Sequence, residues 1–172
     1  MSDVVFISGS PSATSRTATA LSALAARLAE HGVSTAHIHV RELPAADLAS
    51  AKAQDPRTQE AVRLVASARA VVVGTPIYKA SLTGMLKAFL DLLPHEALKG
   101  KVALPIGTGA AAAHSLTIEH SLAPLLFALG ADAVVRGQYF IDTDLADGKL
   151  SPAAALAVEF AATRLLTFGG TR

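Results

Sequence analysis

Residues 3–16, "DVVFISGSPSATSR", join an apolar, β-branched run to a segment dense in hydroxyls that ends on a cation. Val4 to Ser8 has the composition of a strand buried on both faces, because near-continuous apolar runs mark strands covered by helices on either side. Gly9 and Pro11 interrupt the run, and Ser10, Ser12, Thr14, Ser15 and Thr17 then supply hydroxyls around Arg16. Two readings of this segment stand side by side. Serine is a favoured N-cap and turn residue, so a plain strand-to-helix turn explains it. A loop entering a helix N-terminus also presents unpaired N–H groups at the positive end of a dipole, which attracts a phosphate. The segment matches neither G-x-x-x-x-G-K-[ST] nor G-x-G-x-x-G.

The same alternation continues outward. Strand candidates are 3–9, 34–40, 70–75, 101–108 and 132–141, and helical stretches lie at about 15–31, 56–69, 81–93, 115–129 and 152–168. In the first helix Leu21, Leu24 and Leu28 recur on one face. Asp55-Pro56 reads as an N-cap followed by proline at the first helical position. Strand–helix units repeated five times require right-handed crossovers and a parallel sheet. The fold class is therefore α/β: a flavodoxin-like three-layer sandwich with a five-stranded parallel sheet in the order 2-1-3-4-5. In that topology a ligand binds outside the carboxyl ends of the strands, where the order reverses between strands 1 and 3. No repeat or linker divides the chain, and residues 1–172 are read as one domain.

Composition narrows the function. The 172 residues are 51% hydrophobic and 17% charged, with a net charge of +1. No basic tract offers an electrostatic footprint for nucleic acid. The absence of cysteine excludes disulfides, thiolate metal sites and cysteine catalysis. No apolar run reaches the roughly 18 residues that span a bilayer, and the N-terminus lacks a basic leader, so no membrane role and a cytoplasmic location are expected. A mean hydropathy of +0.42 points to apolar helix faces that pack between subunits. Leu86, Phe89, Leu90, Leu122, Leu125 and Leu126 are too many to face one sheet, so a homodimer or homotetramer is expected.

Two further loops reach the same sheet edge. "GTPIYKASLTG" (74–84) follows the third strand; Pro76 ends the ladder, and Pro76, Ile77, Tyr78 and Lys79 offer backbone groups and one aromatic ring. Ser81 is a candidate cap for the next helix. "PIGTGAAAAHS" (105–115) follows the fourth strand, with glycines on both sides of Thr108 that let backbone run against a flat ligand. A phosphate loop between two ring-contacting loops has the shape of a flavin mononucleotide site. Other constellations carry less. His37 and His39 share a strand face without a third ligand. His114 and His120 are six apart, which does not match one helical face. No G-x-S-x-G is present. Asp142, Asp144 and Asp147 lack calcium-loop spacing and read as a solvated loop.

From Val4 to Tyr139 the chain resembles the NADPH-dependent FMN reductases, most closely those serving alkanesulfonate and methanesulfonate monooxygenases. "GSPSATSRTATAL" is similar to that family's phosphate loop, and "TPIYKASLTGMLKAFLDLLP" to its T-P-x-Y-x-x-x-x-x-G-x-L-K-x-x-L-D-L-L-P block. "ALKGKVALPIGTG" and "AAHSLTIEHSLAPLL" match the next strand and helix. The resemblance implies FMN held at its phosphate by Ser10, Ser15, Arg16 and Thr17. Along the ring it implies Pro76, Ile77, Tyr78 and Lys79 together with Thr108, Gly109 and Ala110. It implies NADPH as hydride donor, no catalytic acid or base, no metal, and reduced FMN passed to a partner monooxygenase of sulfur metabolism. Two alternatives stay open: an FMN-bound reductase of quinones, azo dyes or metal ions, and an electron-transfer flavodoxin. Flavodoxins are usually strongly acidic, unlike this chain.

Three features depart from the family pattern. Gly109-Ala110 stands where many members have two glycines. His120 stands where alkanesulfonate reductases have a tyrosine that forms a π-bulge at a subunit interface. The loop "DTDLADGKLSP" (142–152) has no clear counterpart.

Overall fold

Successive side chains of a strand point to opposite faces, and in the first strand, β1 (Val4–Ser8), both faces are covered: Val4 and Phe6 enter one core, Val5 and Ile7 a second. The computed structural model describes residues 2–168. After β1 follow α1 (Arg16–Glu30), β2 (Thr35–His39), α2 (Ala45–Ser50), α3 (Pro56–Ser67), β3 (Ala70–Pro76) and α4 (Gly84–Asp91). The chain continues through β4 (Val102–Gly109), α5 (Ala123–Ala128), β5 (Ala133–Val134), β6 (Gln138–Ile141) and α6 (Pro152–Phe168).

All strand pairs are parallel, in the order β2-β1-β3-β4-β5, with β6 also paired to β4. This is the flavodoxin-like order. Leu21, Leu24 and Leu28 of α1 and Val158 and Leu165 of α6 cover one face of the sheet. Val65 of α3, Leu86 and Phe89 of α4, and Leu126 of α5 cover the other. Arg27 of α1 is bonded to Glu159 of α6 at 2.5 and 2.7 Å, which ties the two helices of one layer. No helix among the described residues is long and apolar enough to cross a membrane.

The expected fifth strand is split. Ala103 pairs with Val134 and Ile106 with Gln138, so one additional residue is accommodated between β5 and β6. Asp132 N–H donates to Lys101 and Val135 N–H to Ala103, so the odd-numbered positions of β4 face this strand. Pro105 is one of them and has no N–H to offer, which breaks the ladder there. A Cβ on Gly137 would lie 2.7 Å from the Pro105 carbonyl oxygen and 2.4 Å from Ile118, so only glycine passes this point without displacing its neighbours.

The helix starts follow local rules with one exchange. Ser15 Oγ accepts from Ala18 N–H at 3.0 Å and Asp55 from Arg57 N–H at 2.8 Å. The cap of α4 is Thr83, not Ser81: Thr83 Oγ1 accepts from Leu86 N–H and donates to the Gly9 carbonyl at 2.7 Å. Ser81 instead closes a turn with Tyr78 through two backbone bonds. Lys101 turns inward and donates to the Ala66 and Ala68 carbonyls at the end of α3.

The helix before β5 contains a π-helical turn, Ile118–Leu122, in which Ala123 N–H reaches back to the Ile118 carbonyl. It forms with histidine, not tyrosine, at position 120. Pro124 accounts for it physically, since a proline ring clashes with the carbonyl four residues earlier, here that of His120, and widening the turn relieves the clash.

The apolar residues expected between subunits belong instead to the core. Leu86, Phe89, Leu90, Leu122 and Leu126 are buried under the sheet and Leu125 packs beside them. The large apolar side chains left exposed include Leu116, Phe127, Leu156 and Phe160.

Candidate functional site

β1, β3 and β4 end at one edge of the sheet, where the order reverses between β1 and β3. A cavity of about 1150 Å³ opens there, walled by the loops after β1, β3 and β4 and by residues 142–150. Among the expected site residues Ser10, Ser15, Arg16, Thr17, Pro76, Ile77, Tyr78, Thr108, Gly109 and Ala110 all line it. Lys79 does not; it is exposed beyond the rim.

Three hydroxyls near the start of α1, those of Ser10, Ser15 and Thr17, have distinct partners. Ser10 Oγ accepts from Ser12 N–H at 3.2 Å and donates to the Ser12 carbonyl, so it shapes the loop. Ser15 Oγ caps α1 and keeps its own proton to donate. Thr17 and Thr108 are fully buried and share a 2.7 Å hydrogen bond, which fixes the start of α1 against the end of β4. The N–H groups of Arg16 and Thr17 occupy the first two helical positions, where no helical carbonyl precedes them. These backbone donors face a dipole-favoured anion position.

The loop after β3 is a tight two-residue turn. Tyr78 N–H donates to the Ser81 carbonyl at 2.9 Å and Ser81 N–H to that of Tyr78 at 3.0 Å, with Lys79 at φ 51° and Ala80 at φ 58°. Both central residues hold the left-handed conformation of a type I′ turn, and Tyr78 stands exposed beside the cavity mouth. The glycines of β4 make room for protein rather than for a flat ligand. A Cβ on Gly109 would lie 2.6 Å from the Tyr139 hydroxyl, and one on Gly107 would lie 2.9 Å from Ile118. The backbone of Gly109 and Ala110 nevertheless walls the cavity.

Several lining residues carry no motif. Asp142 lies 3.4 Å from Arg16, and Asp142 and Asp147 both face the cavity instead of solvent alone. Tyr139 Oη donates to the Ala111 carbonyl at 3.0 Å, and burial, followed by the charge of Asp142, pushes its phenol up. His114 lines the cavity, and its Nδ1 is buried with no hydrogen-bond partner. His37 stacks on Phe6 and burial lowers its imidazole. Among the described residues no group of three or more His, Cys, Asp or Glu is placed to hold a metal.

A cavity of this size at a switch point, with helical N–H donors at one end and backbone walls at the other, fits a mononucleotide that carries a flat ring. The sequence model for NADPH-dependent FMN reductases matches residues 2–146. The chain belongs to the NADPH-dependent FMN reductase family. An FMN reductase (NADPH) of Pseudomonas putida is 43% identical over 83% of this chain and 73% of its own length. The NADH-dependent FMN reductase SfnE of Pseudomonas putida is 36% identical over 98% of this chain and 92% of its own. Among solved structures, the apo form of the NADH:FMN oxidoreductase EmoB superposes with a TM-score of 0.89 at 36% identity, covering 100% of this chain and 97% of that one. The FMN reductase fold thus accounts for the sheet order.

Proposed function

We propose that the protein reduces FMN with NADPH and releases the reduced flavin to a monooxygenase that acts on sulfonates or sulfones. The observation that carries this reading is the single cavity in which the α1 N-terminus, Pro76–Tyr78 and Thr108–Ala110 converge. The first-turn N–H groups of α1 and the Ser15 hydroxyl would hold the phosphate, while Ser10 keeps the loop in shape. The two backbone walls would hold the ring. Bound FMN would supply a ring able to accept a hydride from the nicotinamide. The chain's contribution is to position the two rings, and that requires no acid or base side chain.

The electrostatics favour loose binding. Among the described residues Arg16 is the one arginine or lysine in the lining, and Asp142 partly neutralises it. The phosphate would therefore rest mainly on backbone N–H groups and hydroxyls, which suits a flavin that leaves. Residues 1–172 are read as one domain, supported by a core in which Val158 and Leu165 of α6 meet Val4 and Phe6 of β1. Exposed Leu116, Phe127, Leu156 and Phe160 support a homodimer or homotetramer, and cytoplasmic sulfur metabolism follows from the monooxygenase role. Purified protein should oxidise NADPH only when FMN is added, and it should be colourless with sequential kinetics. Folded protein that leaves NADPH untouched in the presence of FMN overturns the proposal. A yellow protein with ping-pong kinetics would assign it instead to reductases that retain their flavin.

A further inference from the structure

Among the described residues two lining side chains carry nitrogen, and only one of them has a partner. Arg16, at the phosphate end, is paired with Asp142. His114 stands beside Gly109 and Ala110, and its Nδ1 is bonded to nothing. A buried polar atom without a partner costs about 1–3 kcal/mol, so its retention at a ligand cavity calls for an account. Nδ1 lies 3.7 Å from the point where a Gly109 Cβ would stand, and Tyr139 Oη approaches that same point to 2.6 Å. Tyr139 spends its proton on the Ala111 carbonyl, which leaves its oxygen free to accept. The phenol oxygen and the imidazole thus both crowd Gly109 at the wall of the cavity.

We propose that His114 is a flavin-contacting residue that hydrogen-bonds the ring and favours its reduced form. This rests on FMN being the ligand of the cavity. In the transfer the nicotinamide C4–H bond breaks and a flavin N5–H bond forms; the nicotinamide is oxidised, and the flavin is reduced and gains one negative charge. The cavity offers little to offset that charge. Asp142 and Asp147 are of the wrong sign, β4 carries no titratable residue, and β6 contributes only Tyr139. A hydrogen bond to a charged acceptor is about twice as strong as one to a neutral acceptor, so His114 acts more on the reduced ring than on the oxidised one.

The test compares wild type, His114→Phe and His114→Gln by equilibrium titration with oxidised FMN and, anaerobically, with dithionite-reduced FMN, after circular dichroism confirms folding. His114→Phe should weaken reduced FMN about tenfold and oxidised FMN less than threefold. His114→Gln, which keeps a hydrogen-bond donor in a different geometry, should fall between wild type and His114→Phe and serves alone if the phenylalanine variant does not fold. Equal weakening of both forms, or no weakening of either, overturns the assignment. Wild type that binds no FMN in either form would overturn the ligand itself, which is a separate failure.

Discussion

Arg16 Nη1 lies 3.4 Å from Asp142 Oδ2, so the cation of the phosphate loop is held by a carboxylate from a segment 126 positions later in the chain. Both side chains are partly exposed, and such pairs contribute about 0.2–1 kcal/mol. Asp142→Asn should release Arg16 and remove a negative charge from the cavity, tightening FMN about two- to fivefold at low salt. The gain should shrink as salt rises. A fluorescence titration measures it; an unchanged Kd would show that Arg16 does not reach the phosphate.

Thr17 and Thr108 share a 2.7 Å side-chain hydrogen bond that joins the start of α1 to the end of β4. Thr108→Val strands the Thr17 hydroxyl in a dry site and should cost about 1–3 kcal/mol. For a chain of this size that lowers Tm by about 2–4 °C per kcal/mol. Adding Thr17→Val should cost less than the sum of the single losses, because the second change removes a group that is already unpaired. Thermal unfolding of the four proteins settles it, and strict additivity would rule the bond out.

Ala80 has φ 58° in the turn that carries Tyr78. A left-handed residue with a Cβ costs about 1–2 kcal/mol, of which glycine returns part to chain entropy. Ala80→Gly should stabilise by about 0.5–1 kcal/mol and Ala80→Val should destabilise, as read from urea midpoints.

Glu159 is held below the usual carboxylate range by its hydrogen bond to Arg27, and Asp3 by Ser34. A depressed carboxyl pKa means that the folded protein keeps its charge where the unfolded chain takes up a proton. The stabilisation is therefore present above the unfolded value, about pH 4.3 for glutamate, and is lost as pH falls through the folded one. The stability difference between wild type and Glu159→Gln should be constant near neutrality and vanish in acid. A difference independent of pH would assign the contact to packing.

The main elements are legible in local pattern. The apolar runs of β1 and β3, the leucines of α1 and the Asp55-Pro56 cap each report a neighbourhood of a few residues. α2 is not legible, because its six residues are too few to show a helical period. The break between β5 and β6 is written in Pro105, a residue of a different strand, and becomes readable only once that strand is known to be its neighbour. The π-helical turn follows from Pro124 rather than from the identity of residue 120.

The candidate site divides along the same line. By itself the sequence determined the sheet order and the three loops at the switch point, because periodicity, turn chemistry and motif spacing act over short stretches of chain. Tertiary structure alone decided what those loops meet. It set Asp142 against Arg16 and Thr108 against Thr17, and it placed the Tyr139 hydroxyl where a side chain on Gly109 would be. It also left His114 Nδ1 without a partner beside the cavity. These contacts join residues far apart in the chain, and their distances depend on how helices and strands pack in three dimensions, which no local pattern of residues encodes.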